Sequence, residues 1–186
     1  MELYCTTGVV RTASVLTEES AARLLDLAGD TPDGVIARTA FDPDLVQTSL
    51  NLGVLNAVGD TAALTWSVRS SVSAEKAALT EELRQAVEKA GAIFSVSGAY
   101  EGWEYREDSP LRETLAATWQ ELSGVAPTVQ GIHAGLECGP LCGKLPGLDA
   151  VSLGPEMEGV HTTGERVRVA SVKRTWEFLV ASLAKL

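Results

Sequence analysis

The run "TAALTWSVRSS", residues 61–71, limits what this chain folds into more than any other stretch. Leu64, Trp66 and Val68 alternate with Thr65, Ser67 and Arg69, the period of two that places apolar side chains on one strand face and polar ones on the other. Turn chemistry in "VGD" at 58–60 leads into it, and the β-rich runs "GVIARTAF" and "VQTSLNLGVLN" come before that turn. A half-buried sheet strand is expected, with Arg69 on its open face.

Helical patterns flank these runs. Thr17 is placed to cap a helix with Glu18 and Glu19 in its first turn and Leu24, Leu25 and Leu27 on its apolar face. Ser73 is placed to cap a longer one, with Leu79, Leu83, Ala86, Val87 and Ala90 at helical spacing and Gly91 as its stop. "AIFSVSGAY" follows as a strand, so the order strand, strand, helix, strand resembles most of a split βαβ unit and closes a first block near residue 97. In the second block Ser109 and Pro110 start a helix that runs to about Ser123, with Gly124 just past its end. "TVQGI" and "DAVSLGP" are expected as strands, and "AGLECGPLCG" as a turn or short helix. A terminal helix capped by Ser171 turns Val172, Trp176, Leu179 and Leu183 inward. Strands alternating with helices argue for a parallel or mixed α/β sheet, with an α+β first block.

Composition narrows the partners. Fifteen basic against 25 acidic residues give a net charge of −10, which repels phosphate backbones and anionic lipid. Nucleic acid and membrane are therefore excluded as partners. No apolar run approaches the about 18 residues that span a bilayer, and "MELYCTTGVVRTAS" lacks a basic segment followed by an apolar one, so a cytoplasmic protein is expected. Cys5, Cys138 and Cys142 are an odd number at irregular spacing, as for reduced thiols.

Chemistry concentrates in "GIHAGLECGPLCG", residues 131–143, which holds one of the chain's two histidines and two of its three cysteines. His133 and Glu137 stand at i and i+4, a spacing that presents two metal ligands on a helix face, but Gly135 between them argues against a regular helix. Cys138 and Cys142 are four apart, not a C-x-x-C pair, so small buried thiols are expected there. The glycines around Leu136 and Cys138 let backbone approach a carboxylate closely, or make a tight turn. His161 lies in an acidic loop after an expected strand, a usual address for ligands in an α/β sheet and also a common solvated surface. Arg69 has two fates open: a bidentate grip on a substrate carboxylate, or a salt bridge on the sheet face.

Read together, "TPDGVIARTAFDPDLVQTSLNLG", "WSVRSS", "GAYEGWEYREDSPL", "IHAGLECGPLCGKLPGLDAVSLGP" and "GVHTTGERVRVASVKRTWEFL" resemble the C-terminal portion of bacterial aminoacyl-histidine dipeptidases. These Xaa-His dipeptidases are carnosinase-like di-zinc metallopeptidases, and the likeness runs from about Leu16 to the end. It implies a zinc-binding catalytic α/β domain interrupted by a lid domain that commonly mediates dimerisation. On that template residues 1–97 are the later, α+β part of the lid and residues 98–186 the C-terminal part of the catalytic domain.

The resemblance also implies roles. His161 matches the histidine of the family's H-[ST]-x-x-E segment, a zinc ligand. Arg69 matches the lid arginine that grips the substrate's terminal carboxylate. Gly135, Leu136 and Glu137 match the loop lining the substrate, and Asn51 in "SLNLG" is a further substrate-binding candidate. The family's other metal ligands, its general base and its lid histidine match no segment of these 186 residues. The expectation is therefore the C-terminal segment of a zinc dipeptidase acting on Xaa-His dipeptides, with partial zinc binding at most and no hydrolysis by the chain alone. Its partner is a second copy or a missing N-terminal half. The alternatives are a non-catalytic carboxylate-binding or dimerisation module, and a thiol enzyme built on Cys138.

Overall fold

The computed structural model describes residues 16–58 and 61–186. Cys5, the N-terminal run and Gly59 and Asp60 of the expected turn lie outside the described residues. Helix α1 (Glu18–Asp30) begins where expected, with the Thr17 hydroxyl oxygen accepting from the Ser20 amide at 3.2 Å. Leu27 enters the core and Leu24 is half-buried, but Leu25, about a quarter of a turn further round from Leu24, is exposed.

Strands β1 (Gly34–Arg38), β2 (Val46–Val58) and β3 (Thr61–Ser70) form an antiparallel sheet with β2 in the centre. The alternation in β3 is realised: Leu64, Trp66 and Val68 pack on the core while Thr65, Ser67 and Arg69 are exposed. Across the β2–β3 ladder Ser49 stands opposite Arg69 and Asn51 opposite Ser67. Helix α2 (Ser73–Lys89) covers the apolar face, where Leu79, Leu83 and Val87 meet Leu27 and the fully buried Leu50.

Ser73 is the first residue of α2 and not its cap. Its hydroxyl donates to the Glu101 carboxylate at 2.8 Å and accepts from the Gly102 amide, which ties the helix start to the second block. The expected stop holds: Gly91 has φ +73°, and the bonds from Ala92 N to Val87 O and from Gly91 N to Glu88 O close the helix end.

In the second block α3 (Pro110–Ser123) has the expected ends, with the Ser109 cap and Gly124 at φ +77°. Buried Ser109 donates to the Asp149 carboxylate at 2.7 Å, and the Leu111 amide bonds its other oxygen at 3.0 Å. Burial raises the Asp149 pKa, but these two bonds together with the charges of Arg106 and Arg112 outweigh it and hold the group below the usual aspartate value. A short helix α4 (Cys138–Lys144) follows. A two-stranded hairpin of β4 (Met157–Glu158) and β5 (Arg166–Val167) then leads into α5 (Val169–Leu183), which packs on α3 through an edge-to-face contact of Trp119 and Phe178 at 5.3 Å.

The mixed helix-and-sheet class agrees with expectation, while the sheets are small and every strand pair among the described residues is antiparallel. "AIFSVSGAY", "TVQGI" and "DAVSLGP" are extended or irregular and join no ladder, because a strand exists only where a neighbour takes its backbone hydrogen bonds. Helix α5 is rotated from its expected orientation. Phe178, Leu179 and buried Ser182 face α3, whereas Val172, Leu183 and Trp176, the last at 65% exposure, form an open apolar face. Ser171 lies in the first turn of α5 rather than at its cap; its hydroxyl bonds the Arg168 carbonyl and accepts from the Glu156 amide.

Candidate functional site

The open face of the sheet ends in a groove where the two blocks meet. Arg69 and Ser70 at the end of β3 form one wall, Lys76 of α2 and Tyr100 a second, and His133, Gly135 and Leu136 a third. The strand alternation and the start of α2 deliver the first two walls directly. The third arrives because His133 Nε2 and the Ser49 hydroxyl meet at 2.7 Å, joining residues 84 apart in sequence. Ser49 is the cross-strand neighbour of Arg69, so Arg69, Ser49 and His133 gather on one side of the sheet.

The groove departs from the chain's acidic balance. Lys76 Nζ donates to the Tyr100 carbonyl at 2.5 Å and sits 4.4 Å over the Tyr100 ring, and Glu101 is engaged by Ser73. Arg69 makes no ion pair or side-chain hydrogen bond among the described residues. His133 is held below the usual histidine range, first by burial and second by the Arg69 charge, against the opposing effect of a hydrogen bond to the Val46 backbone. Its ring is therefore neutral at pH 7.

Glycine in the 131–143 run serves close packing between the blocks. A Cβ on Gly135 would lie 2.1 Å from the Tyr100 hydroxyl, and one on Gly139 would lie 2.5 Å from the Glu101 carbonyl oxygen. The Gly139 contact is with backbone, which cannot swing away. Gly139→Ala is expected to cost about 1–3 kcal/mol, as for other overpacked sites, and to lower the thermal midpoint by about 2–4 °C for each of those kcal/mol. Gly154→Ala, where a Cβ meets nothing within 4 Å, is the comparison and should melt close to the unaltered chain. Equal melting of the two variants would show that the glycine run does not pack as described.

The other sequence candidates fall outside the groove wall. Asn51 lies on the same face of β2 as Ser49, two residues further along and exposed. Glu137 follows Leu136 at the start of α4 and is exposed, and the 133–137 segment is not helical, so His133 and Glu137 do not share a helix face. His161 sits in the β4–β5 turn, its amide bonded to the Glu165 carboxylate at 3.0 Å. It has φ +64°, a left-handed conformation that costs a non-glycine residue about 1–3 kcal/mol.

Among the described residues no group of three His, Cys, Asp or Glu side chains converges to hold a metal, so the donors present do not by themselves fit a zinc pair. Cys138 and Cys142 are unpaired and half-buried, less buried than expected. Burial, then Cys142, pushes the Cys138 thiol up, the opposite of nucleophile activation. Sequence reasoning singled out Arg69, Gly135 and Leu136, and it weighed His133 only against Glu137, arguing from Gly135 against a shared helix face. It missed Lys76 and Tyr100, whose place depends on the packing of one block against the other.

The arrangement of helices and small antiparallel sheets is also found in solved peptidases. Aminoacylhistidine dipeptidase from Vibrio alginolyticus superimposes with a TM-score of 0.81 at 30% identity, over 96% of this chain and 36% of that one. Aminopeptidase PepT from Bacillus cereus ATCC 10987 shares the fold with a TM-score of 0.72 at 19% identity, over 88% of this chain and 44% of that one. By sequence the chain is a homologue of the cytosol non-specific dipeptidase of Escherichia coli (strain K12), 33% identical over 179 residues. It spans 37% of the length of that dipeptidase. No protein-family model matches the chain. Among the described residues no helix is long and apolar enough to cross a membrane.

Proposed function

We propose that the chain supplies the carboxylate-binding wall of a cytoplasmic zinc dipeptidase acting on Xaa-His dipeptides. In this reading residues 1–97 belong to a lid and residues 98–186 to the catalytic domain. The observation that carries it is Arg69, which lines a groove on the open sheet face without an acidic partner among the described residues. A guanidinium offers parallel N–H donors that match both oxygens of a peptide's terminal carboxylate. Gly135 and Leu136 line the groove beside it, and Asn51 lies on the same sheet face; Glu137 is assigned to substrate binding from its place next to Leu136.

His161 is assigned as one zinc ligand. Its left-handed backbone in a tight turn supports that role, since strain of this kind clusters at functional sites. Zinc, when bound, supplies a Lewis acid and an activated water. The remaining donors come from an N-terminal half outside these 186 residues, so these residues alone bind a carboxylate without hydrolysing the dipeptide. The exposed apolar face of α5 supports such a partner.

The test is calorimetric titration with N-acetyl-alanyl-leucine and with its C-terminal amide. The acid should bind at least about tenfold more tightly, the equivalent of one charge-assisted hydrogen bond. Equal affinity for the two would remove the carboxylate grip and the reading with it. A non-catalytic carboxylate-binding module shares the same groove, and zinc content after dialysis against the complemented enzyme separates the two.

A further inference from the structure

The bond between Ser49 and His133 does no work in the grip described for Arg69, yet it sits directly beside it. Ser49 is paired across the sheet with Arg69, and its hydroxyl meets His133 Nε2 at 2.7 Å. Resting on the carboxylate-site reading above, we propose that His133 is a positioning residue of the Arg69 subsite that acts through Ser49. Protonation of the imidazole turns the Ser49 hydroxyl from a donor toward the ring into a donor toward the bound carboxylate.

The hydrogen-bond inventory gives the step. In the neutral tautomer that keeps its hydrogen on Nδ1, Nε2 has a lone pair, and that lone pair accepts a hydrogen bond from the Ser49 hydroxyl 2.7 Å away. Ser49 then presents only lone pairs to the groove, and these repel a carboxylate. When Nε2 gains a proton from solvent, it donates to the Ser49 oxygen. The hydroxyl hydrogen is released to rotate toward the ligand, so one proton enters at the ring and no covalent bond other than N–H is made.

The charges around the ring set the sign. Arg69 on β3, Lys76 on α2 and Tyr100 and Glu101 on the connecting segment line the groove with His133, and Glu137 follows it in its own segment. Lys76 donates to the Tyr100 carbonyl and Glu101 accepts from Ser73, while Arg69, without a partner among the described residues, is the charge that acts on the ring. A carboxylate on Arg69 offsets that positive charge and raises the ring's proton affinity. By linkage, binding takes up a proton, and affinity rises as pH falls below the ordinary histidine value of about 6.5.

N-acetyl-alanyl-leucine isolates the effect, because its single carboxylate stays ionised from pH 5 to 8. Its dissociation constant, measured by calorimetry in two buffers of different ionisation enthalpy, should fall about tenfold between pH 8 and pH 5, as for a shift of one pKa unit. Proton uptake should accompany binding. With only two histidines in the chain, proton NMR should show the His133 resonance titrating at higher pH when the ligand is present. H133Q should abolish the slope and S49A should clearly reduce it, the part left in S49A being the direct charge linkage between the ring and the carboxylate on Arg69.

A dissociation constant independent of pH, or an S49A variant that keeps the full slope, overturns this inference while leaving the Arg69 grip intact. Failure to bind at any pH overturns the carboxylate site itself, and this inference with it.

Discussion

Leu50→Ala should lower the free energy of unfolding by about 2–5 kcal/mol, the range for truncating a leucine in a rigid core. Leu50 lies in the central strand β2 with none of its surface exposed, and it packs in one cluster with Leu27, Leu79, Leu83 and Val87. Among the described residues the fully buried apolar set beyond that cluster is Leu115 alone. Removing the one side chain at zero exposure therefore takes out a large share of what holds α1 and α2 to the sheet. The neighbours come from two helices, α1 and α2, and the adjoining strand β3, so they do not collapse together into the gap without moving backbone. Urea unfolding reads the change as a lower midpoint at an unaltered slope. A loss below about 1 kcal/mol would mean that the cavity closes freely, and hence that the sheet and α2 are not packed as described.

Arg69→Ala should weaken binding of N-acetyl-alanyl-leucine by about 10- to 100-fold at pH 7.5, since a hydrogen bond to a charged group contributes about 1.5–3 kcal/mol and 1.4 kcal/mol is tenfold. Arg69 is on the exposed side of β3 and makes no ion pair among the described residues, so its removal leaves the core and the ladder untouched. The circular dichroism and melting of the variant should match those of the unaltered chain. Arg69→Lys should recover part of the affinity at most, because an ammonium offers a point charge where the guanidinium offers a planar fork. Raising the salt concentration should weaken binding to the unaltered chain more than to the alanine variant, as the charge pair is screened. If Arg69→Ala binds the acid as tightly as the unaltered chain, the carboxylate lies elsewhere and Lys76 is the next cation to replace.

Much of the local structure was legible from residue order. Thr17 and Ser109 cap their helices as expected, and Gly91 and Gly124 end theirs in the left-handed conformation that few other residues adopt at little cost. The period of two in β3 sorted its side chains correctly onto two faces. The failures have a common cause. "AIFSVSGAY" and "DAVSLGP" have strand-like composition, but strand formation needs a partner ladder, and none reaches them among the described residues. The apolar stripe of α5 offered more than one face to bury, and α3 selected the one carrying Phe178 and Leu179.

For the site, residue order alone marked Arg69 as a cation on an open strand face and marked 131–143 as a glycine run where backbones come close. Both follow from interactions within a few residues, where covalent geometry leaves little choice. Only the tertiary structure decided that the glycines pack on Tyr100 and Glu101, and that His133 crosses 84 residues of chain to reach Ser49 beside Arg69. That pairing depends on the strand register and on the docking of one block on the other. Both are set by burial summed over many distant residues, which no local pattern encodes.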